Sequence, residues 1–294
     1  MAATLHKKRS ILPGFGLTMG YTTLYVSLIV IIPLAGLFFK SATLSWAQIA
    51  KALSDPELIA SLKITFGLSL AAAMINVILG FITAWTLVRY PFPGRRIIDG
   101  LIDLPFTLPT AVSGIVLATL YVDKGWLGKP WNGFALWFNG LIGKPFLPEQ
   151  IAYTQWGMLI ALVFIGMPFL VRTLEPALVD LDPEVEEAAA SLGATRSQAF
   201  WRVVIPSLLP AVLTGFSLAF ARAVGEYGSV IFISSNIPRE TEITAHLIMK
   251  KLENNDEAGA TMLGVVMLVI SFLMLATVNG VQWWATRRSK EGVV

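Results

Sequence analysis

The sequence predicts an all-α integral membrane protein with six transmembrane helices, and three observations support this fold class. Of 294 residues, 55% are apolar and 14% are charged, whereas soluble domains carry about 25% charged residues. Several long windows hold no charged residue, and each approaches the roughly 20 apolar residues that a helix needs to cross a bilayer. A single polar, charged stretch, residues 182–210, interrupts the second half of the chain.

The six expected spans are the charge-free windows 10–39, 64–88, 104–122, 150–171, 203–221 and 258–286. The first is too long for the apolar region of a signal peptide. The third holds Pro105 and Pro109, which predict a broken or kinked helix. The fifth is expected to continue past Arg222 and Glu226 to about residue 234. The whole chain, 1–294, is interpreted as one transmembrane domain.

Basic residues predict the orientation of the spans. Arginines cluster near the helix ends that face inward if the N-terminus is cytoplasmic, as expected where Lys and Arg favour the inside. Both termini and the 175–206 loop are then expected on the cytoplasmic side of a bacterial inner membrane. The longest outer segment, 123–154, is expected to be a periplasmic loop. Near the third span, Arg95, Asp99 and Asp103 follow one another at four-residue intervals and predict interfacial salt bridges.

The 175–206 loop carries strong helix signals. Asp182 before Pro183 is typical of a helix start, and Gly193 of a left-handed helix end. Thr195 and Gln198 form a capping-box pattern that opens a second helix, which is expected to stop at Pro206. Such a polar corner between two spans predicts contact with a protein outside the membrane. The alternative is an amphipathic helix pair without a partner.

Charges inside the fifth span mark the candidate translocation pathway. Arg222 and Glu226 are expected one turn apart on one helix face, and charges within a membrane usually serve a function. A self-neutralising pair that only stabilises packing is the alternative. If Glu226 were engaged elsewhere, Arg222 could offer its guanidinium to an oxyanion. Thr107, Thr110 and Ser113, beside the prolines of the third span, are further pathway candidates, although ordinary packing explains them equally well.

Several chemistries are excluded or disfavoured. Both Gly-Lys pairs, at Gly128 and Gly143, are followed by proline, so the chain has no P-loop for ATP. With two histidines and no cysteine, a histidine metal cluster or a Ser-His-Asp triad is not expected. No basic stripe suggests nucleic acid. A subunit of a larger transporter, a stand-alone channel or a secondary transporter remain open, and an intramembrane enzyme is disfavoured.

Two sets of motifs resemble known families. Glu187-Ala188-Ala189, Gly193 and Val203-x-Ile205-Pro206 resemble the EAA loop of ABC importer permeases. Over nearly the whole chain, further motifs are similar to sulfate/thiosulfate importer permeases, most of all to their T subunits. They are Ile11-Leu-Pro-Gly-Phe, Arg89-Tyr-x-Phe-Pro-Gly-Arg, Leu104-Pro-x-x-Leu-Pro-Thr-Ala-Val, Glu187-Ala-Ala-x-x-Leu-Gly-Ala-Thr-Arg and Arg222-x-x-Gly-Glu-x-Gly.

The resemblance implies the MetI-like fold of a type I ABC importer and a non-catalytic subunit that moves sulfate and thiosulfate into the cytoplasm. Molybdate or tungstate is the alternative cargo. The implied partners are a second, W-type permease, two ATPase subunits that hold ATP and magnesium, and a periplasmic sulfate-binding protein. No cofactor is implied on this chain. The implied ATPase-coupling residues are Glu184, Glu187, Ala188, Ala189, Gly193, Ala194, Phe200 and Pro206.

Overall fold

The computed structural model describes residues 14–291, which form helices and connecting turns without a strand. The all-α fold class is therefore confirmed for this part of the chain. The helices in chain order are α1 (Phe15–Ala42), α2 (Trp46–Leu53), α3 (Pro56–Arg89), α4 (Arg95–Ile102), α5 (Leu104–Thr107), α6 (Thr110–Tyr121), α7 (Gly128–Ile142), α8 (Gln155–Val179), α9 (Pro183–Ser191), α10 (Arg196–Val224), α11 (Gly228–Ile233), α12 (Thr244–Glu253) and α13 (Glu257–Glu291).

Five of the six expected spans are single helices that are long and apolar enough to cross a membrane, namely α1, α3, α8, α10 and α13. Several extend beyond the charge-free windows because local capping residues set their ends. The start of α3 shows this, since the Asp55 carboxylate accepts a hydrogen bond from the Glu57 N–H at 3.0 Å and Pro56 suits the first helical position. Residues 10–13 of the first window, including most of the Ile11 motif, lie outside the described residues.

The third expected span is split into α5 and α6 rather than formed by one helix. Leu108 and Pro109 between them have extended backbone angles. A proline ring clashes with the preceding helical turn and biases the residue before it away from helical angles. The predicted break at the prolines is thus confirmed, and α6, with 12 residues, is well short of a full span.

The fifth expected span does not continue to residue 234, so this part of the prediction was wrong. Helix α10 ends at Val224, and α11 begins at Gly228 after a short irregular segment. The Glu226 carboxylate accepts a hydrogen bond from the Ser229 N–H at 2.8 Å. Glu226 therefore caps the start of α11 instead of extending α10, because a free N–H group at a helix start needs an acceptor.

The second helix of the 175–206 loop was expected to stop at Pro206, and this prediction was wrong. It passes through a π-helical turn, Phe200–Val204, and continues as the membrane-spanning part of α10. A similar turn, Ser27–Ile31, lies two residues before Pro33 in α1. A proline clashes with the carbonyl four residues earlier, and a wider turn makes room for its ring. Pro33 and Pro206 therefore lie inside long helices without ending them.

The core consists of α3, α8 and α10, which pack along most of their lengths. Leu170 of α8 is fully buried between two glycines of the neighbouring helices. A Cβ atom at Gly80 or at Gly215 would lie 2.6 Å from a Leu170 methyl group. Small residues at such points let membrane helices approach closely. Helix α1, by contrast, has no buried residue among those described and packs at the edge of the bundle against α13.

Candidate functional site

The 175–206 loop begins with the helix α9 that the sequence predicts. The Asp182 carboxylate accepts a hydrogen bond from the Glu184 N–H at 2.9 Å. Gly193 ends the corner with φ of 85°. The N–H of Gly193 bonds to the Ala190 carbonyl at 2.9 Å and that of Ala194 to the Ala189 carbonyl at 3.0 Å. This pair of bonds is the Schellman arrangement, which satisfies the last carbonyls of a helix.

The second helix opens immediately after this corner with the predicted capping box. The Gln198 N–H donates to Thr195 Oγ1 at 3.3 Å, and the Thr195 N–H donates to Gln198 Oε1 at 2.8 Å. Since this helix is the first turn of α10, the corner is joined to the core by one continuous helix. A displacement of the corner would therefore be carried directly into the membrane-spanning bundle.

Two contacts hold the loop against the end of α3. The Phe200 ring packs edge-on against Trp85, with 5.6 Å between the ring centroids. Arg89 pairs with Glu186 at 2.5 Å, and its guanidinium lies 5.3 Å from the centre of the Trp85 ring. The candidate residue Phe200 thus faces inward. The contacts of Trp85 and Arg89 with the loop were not predicted, although their four-residue spacing at the end of a predicted span places them on one helix face.

The other loop candidates lie at the surface. Glu184, Glu187, Ala188, Gly193 and Pro206 are exposed, and Ala189 and Ala194 are partly buried. At the tip of the corner Leu192 is 90% exposed. A shallow groove beside it is lined by Ala189, Leu192, Gly193, Ala194, Gln198, Arg202 and Val203. An exposed leucine beside a groove is a surface suited to a protein partner.

The pathway candidates Arg222 and Glu226 form an ion pair, with 2.5 Å between Nη1 and Oε2. They do not lie on one helix face, because α10 ends between them. The Glu226 side chain is 2% exposed, and its Oε1 atom also accepts hydrogen bonds from the Ser229 N–H and hydroxyl. Glu226 is thus fully engaged as a structural cap, whereas the side chain of Arg222 remains 31% exposed.

The broken third and fifth spans meet through glycines. A Cβ atom at Gly228 would lie 2.2 Å from Thr110 Oγ1, and one at Gly114 would lie 2.3 Å from the Ser229 carbonyl oxygen. The first residues of α6 and α11 are therefore in close contact. Of the five pathway candidates, Thr110 lies at this contact, next to the segment that holds Arg222 and Glu226.

The remaining two pathway candidates have local roles. Ser113 is 3% exposed, within α6, and its hydroxyl donates to the Pro109 carbonyl at 3.4 Å. Thr107 is exposed at the end of α5, and its hydroxyl donates to the Leu104 carbonyl at 3.0 Å. Thr107 makes no contact with the other four candidates among the hydrogen bonds of the described residues.

An acidic cluster at the same end of the bundle as the 175–206 loop was only partly predicted. Arg172 of α8 binds the carboxylate of Asp103 through two nitrogens, at 2.9 and 2.7 Å, and that of Asp99 at 2.7 Å. It also binds Glu175 at 2.6 Å. Asp99 therefore pairs with Arg172, and no ion pair joins it to Arg95 in the described part of the chain. Salt bridges from Arg172 of α8 to Asp99 of α4 and to Asp103 directly after it replace those expected along one helix.

At the opposite end of the bundle a second network ties α12 to the starts of α3 and α13. The Lys251 ammonium bonds to Asp55 at 3.2 Å and to Asp256 at 3.4 Å. The hydrogen bond from the Gly259 N–H, together with Lys251, holds the pKa of Asp256 below its usual value. These contacts stabilise the bundle end at which the chain enters α3 and α13.

Known proteins share this architecture. The model of the binding-protein-dependent transport system inner membrane component family matches residues 76–282. The sulfate transport system permease protein CysT of Synechococcus elongatus is 49% identical over 91% of both chains. The protein of the same name from Escherichia coli is 41% identical over 93% of this chain and 94% of its own.

Solved structures agree on the fold. A bacterial ABC transporter involved in the import of the acidic polysaccharide alginate superimposes with a TM-score of 0.71 at 17% identity, covering 91% of this chain and 94% of that chain. The MetNI methionine ABC transporter does so with a TM-score of 0.53 at 15% identity, covering 78% and 95%. The MetI-like fold expected from the motifs is confirmed, and the chain belongs to the family of binding-protein-dependent transport system inner membrane components.

Proposed function

We propose that this chain is a permease subunit through which an ABC importer moves sulfate across the bacterial inner membrane into the cytoplasm. The assignment of sulfate as the substrate rests on the sequence identity of 41–49%, over about nine-tenths of both chains, to sulfate transport system permeases. The interrupted third and fifth spans support a transport role, because broken helices inside a membrane are tolerated where they lie against protein or a water-filled path. In this proposal the chain catalyses no reaction itself.

Uptake of labelled sulfate tests the substrate. A strain that lacks this chain and every other sulfate importer is expected to show no sulfate uptake, and restoring this chain is expected to return the uptake. Unlabelled thiosulfate and molybdate, added as competitors, separate the possible cargoes. If sulfate uptake persists without the chain, the sulfate assignment is wrong. If uptake falls but molybdate competes better than sulfate, the cargo is molybdate and the class of importer stands.

The coupling function is proposed for the 175–206 loop. Exposed Glu187 and Leu192 would contact a separate ATPase subunit that holds ATP and magnesium, and α10 would carry the resulting movement into the core. Two such ATPase subunits, a second permease of the W type and a periplasmic sulfate-binding protein complete the proposed complex. The termini and the loop would then lie in the cytoplasm, as the arginine distribution predicts.

Arg222 is proposed to contact the anion as it passes. Its guanidinium is partly exposed and, among the described residues, forms one ion pair, that with Glu226. A guanidinium with unused donors suits a tetrahedral oxyanion. Removing Arg222 alone would leave the buried Glu226 carboxylate unpaired, and breaking a buried pair in this way costs about 3–5 kcal/mol. A single substitution therefore cannot separate transport from folding.

The double variant Arg222→Gln/Glu226→Gln separates an effect on transport from an effect on folding. It removes both charges, and the amide oxygen that replaces the carboxylate at position 226 can still accept from the Ser229 N–H. We expect normal assembly of the complex and a loss of sulfate uptake of at least about tenfold, the equivalent of 1.4 kcal/mol. Uptake is measured alongside the amount of complex in the membrane. Normal assembly with normal uptake would show that transport needs neither charge and would overturn the role proposed for Arg222.

A further inference from the structure

Helix α7, which lies between the third and fourth spans, exposes a large apolar surface. Phe134, Trp137 and Leu141 recur at helical spacing and are 47%, 64% and 71% exposed. Trp126 before the helix and Phe146 after it are 82% and 73% exposed. A patch of this size in contact with water would promote aggregation.

The polarity of α7 is the reverse of that of a helix on a soluble surface. Its inward stripe contains Gly128, Asn132, Ala135 and Asn139, all buried or partly buried. The apolar stripe of Phe134, Trp137 and Leu141 is rotated by about half a turn from them. Polar groups that face protein and apolar groups that face outward are what a lipid environment requires.

The return segment after α7 has its backbone groups satisfied by these inward side chains. Asn139 accepts hydrogen bonds from the N–H groups of Phe146 and Leu147, at 2.9 and 2.8 Å, and donates to the Leu147 carbonyl at 2.9 Å. The Trp131 indole N–H donates to the Pro148 carbonyl at 2.8 Å. Internal partners for irregular backbone are essential where water is scarce.

The connection from α6 keeps α7 close to the membrane. Helix α6 is about 18 Å long, against a hydrocarbon thickness of roughly 30 Å. The chain then reverses tightly, with the Leu127 N–H bonded to the Leu120 carbonyl at 2.9 Å. A Cβ atom at Gly128 would lie 2.0 Å from the Val122 carbonyl oxygen. The first turn of α7 therefore lies against the last turn of a membrane-embedded helix.

We propose that α7 lies in the lipid interface of the leaflet remote from the 175–206 loop, with its apolar stripe at the boundary between headgroups and acyl chains. Tryptophan is enriched at this depth because its ring is apolar and its N–H is polar. Lys129 and Lys144, both exposed near the two ends of the helix, can extend to lipid phosphates. The 123–154 segment is thus an anchor for the short helix α6 rather than a loop that projects into water.

Because the chain has no cysteine, a single introduced cysteine is the one site on it that a thiol-specific label can modify. Nitroxide spin labels are attached to single variants Phe134→Cys, Trp137→Cys and Leu141→Cys of the full chain, purified with its partner subunits and reconstituted in phosphatidylethanolamine/phosphatidylglycerol vesicles. Collision rates with oxygen, which concentrates in lipid, and with a water-soluble nickel chelate are compared. Exposed Glu149→Cys is the control for water, and Ala135→Cys, at 0% exposure on the same helix, is the control for protein burial.

We expect the labels at positions 134, 137 and 141 to favour oxygen over nickel, and the label at 149 to show the reverse. High nickel accessibility at the three positions would overturn the proposal, because α7 would then project into water. Low accessibility to both reagents, as at 135, would also overturn it and indicate that a protein subunit covers the stripe. If that low accessibility appears only after an extracytoplasmic binding protein is added, α7 is a docking surface for that protein instead.

Discussion

The Gly114→Ala chain is expected to lose sulfate uptake almost completely and to assemble poorly. The new Cβ atom would lie 2.3 Å from the Ser229 carbonyl oxygen and 2.7 Å from its Cα atom. Because both are backbone atoms, no side-chain rotation can relieve the contact, and α6 and α11 must separate. Overpacking of this kind costs about 1–3 kcal/mol, and here it acts on α6, which holds the pathway candidates Thr110 and Ser113, and on α11, which Glu226 caps.

Gly67→Ala is the matched control for this prediction. Gly67 lies inside α3, and a Cβ atom there would meet nothing within 4 Å. The same substitution should therefore stabilise the helix by up to about 1 kcal/mol, since alanine has the higher helix propensity. Thermal unfolding of the purified complex and uptake in cells give the two readouts. Equal behaviour of the two variants would show that the contact between α6 and α11 does not constrain the transporter.

The second large effect is expected at the corner of the 175–206 loop. Gly193 has φ of 85°, a conformation that costs an ordinary L-residue about 1–2 kcal/mol and a β-branched residue more. Gly193→Val should therefore distort the corner and uncouple ATP hydrolysis from transport, or detach the ATPase. Gly193→Asn is the matched control, since asparagine tolerates this conformation. Open space around the position means that backbone strain, and not a clash, is tested.

Glu187→Lys tests the charge of the same surface. Glu187 is exposed and forms no ion pair within the described chain, so reversal of its charge should leave membrane insertion unchanged. We expect ATPase binding and sulfate uptake to fall by at least about tenfold, or 1.4 kcal/mol. Glu149→Lys, an exposed reversal at the opposite end of the bundle, should have no such effect. Normal uptake in both Gly193→Val and Glu187→Lys would remove the support for the loop as a coupling surface.

Local patterns explain what the sequence could predict. Hydrophobic runs locate five spans, and the caps at Asp182, Gly193 and Thr195 form as expected because each depends on residues within one turn. The prolines of the third span likewise mark the break between α5 and α6. Interactions of short range are readable from one sequence because no knowledge of neighbouring helices is needed.

The failures of prediction share one physical origin. The end of α10 could not be located because the segment that follows it packs against α6, where a Cβ atom at Gly228 would lie 2.2 Å from Thr110 Oγ1. The partner of Asp99 could not be identified because Arg172 lies 73 positions further along the chain. Which helices lie side by side decides such pairs, and hydrophobic patterning within each span does not specify that arrangement.

The π turn in α10 shifts the helical register between the part of the helix in the 175–206 loop and the part in the core. A π turn holds one residue more than an α turn, so a helical wheel drawn at 100° per residue through all of Arg196–Val224 is wrong by one position beyond Val204. The same offset separates the two halves of α1 at Ser27–Ile31. Losing one residue of the π turn itself would restore an α turn and leave the corner and the core in their present orientation. Losing one residue elsewhere in α10 before Pro206 would instead turn the corner by about 100° relative to the core.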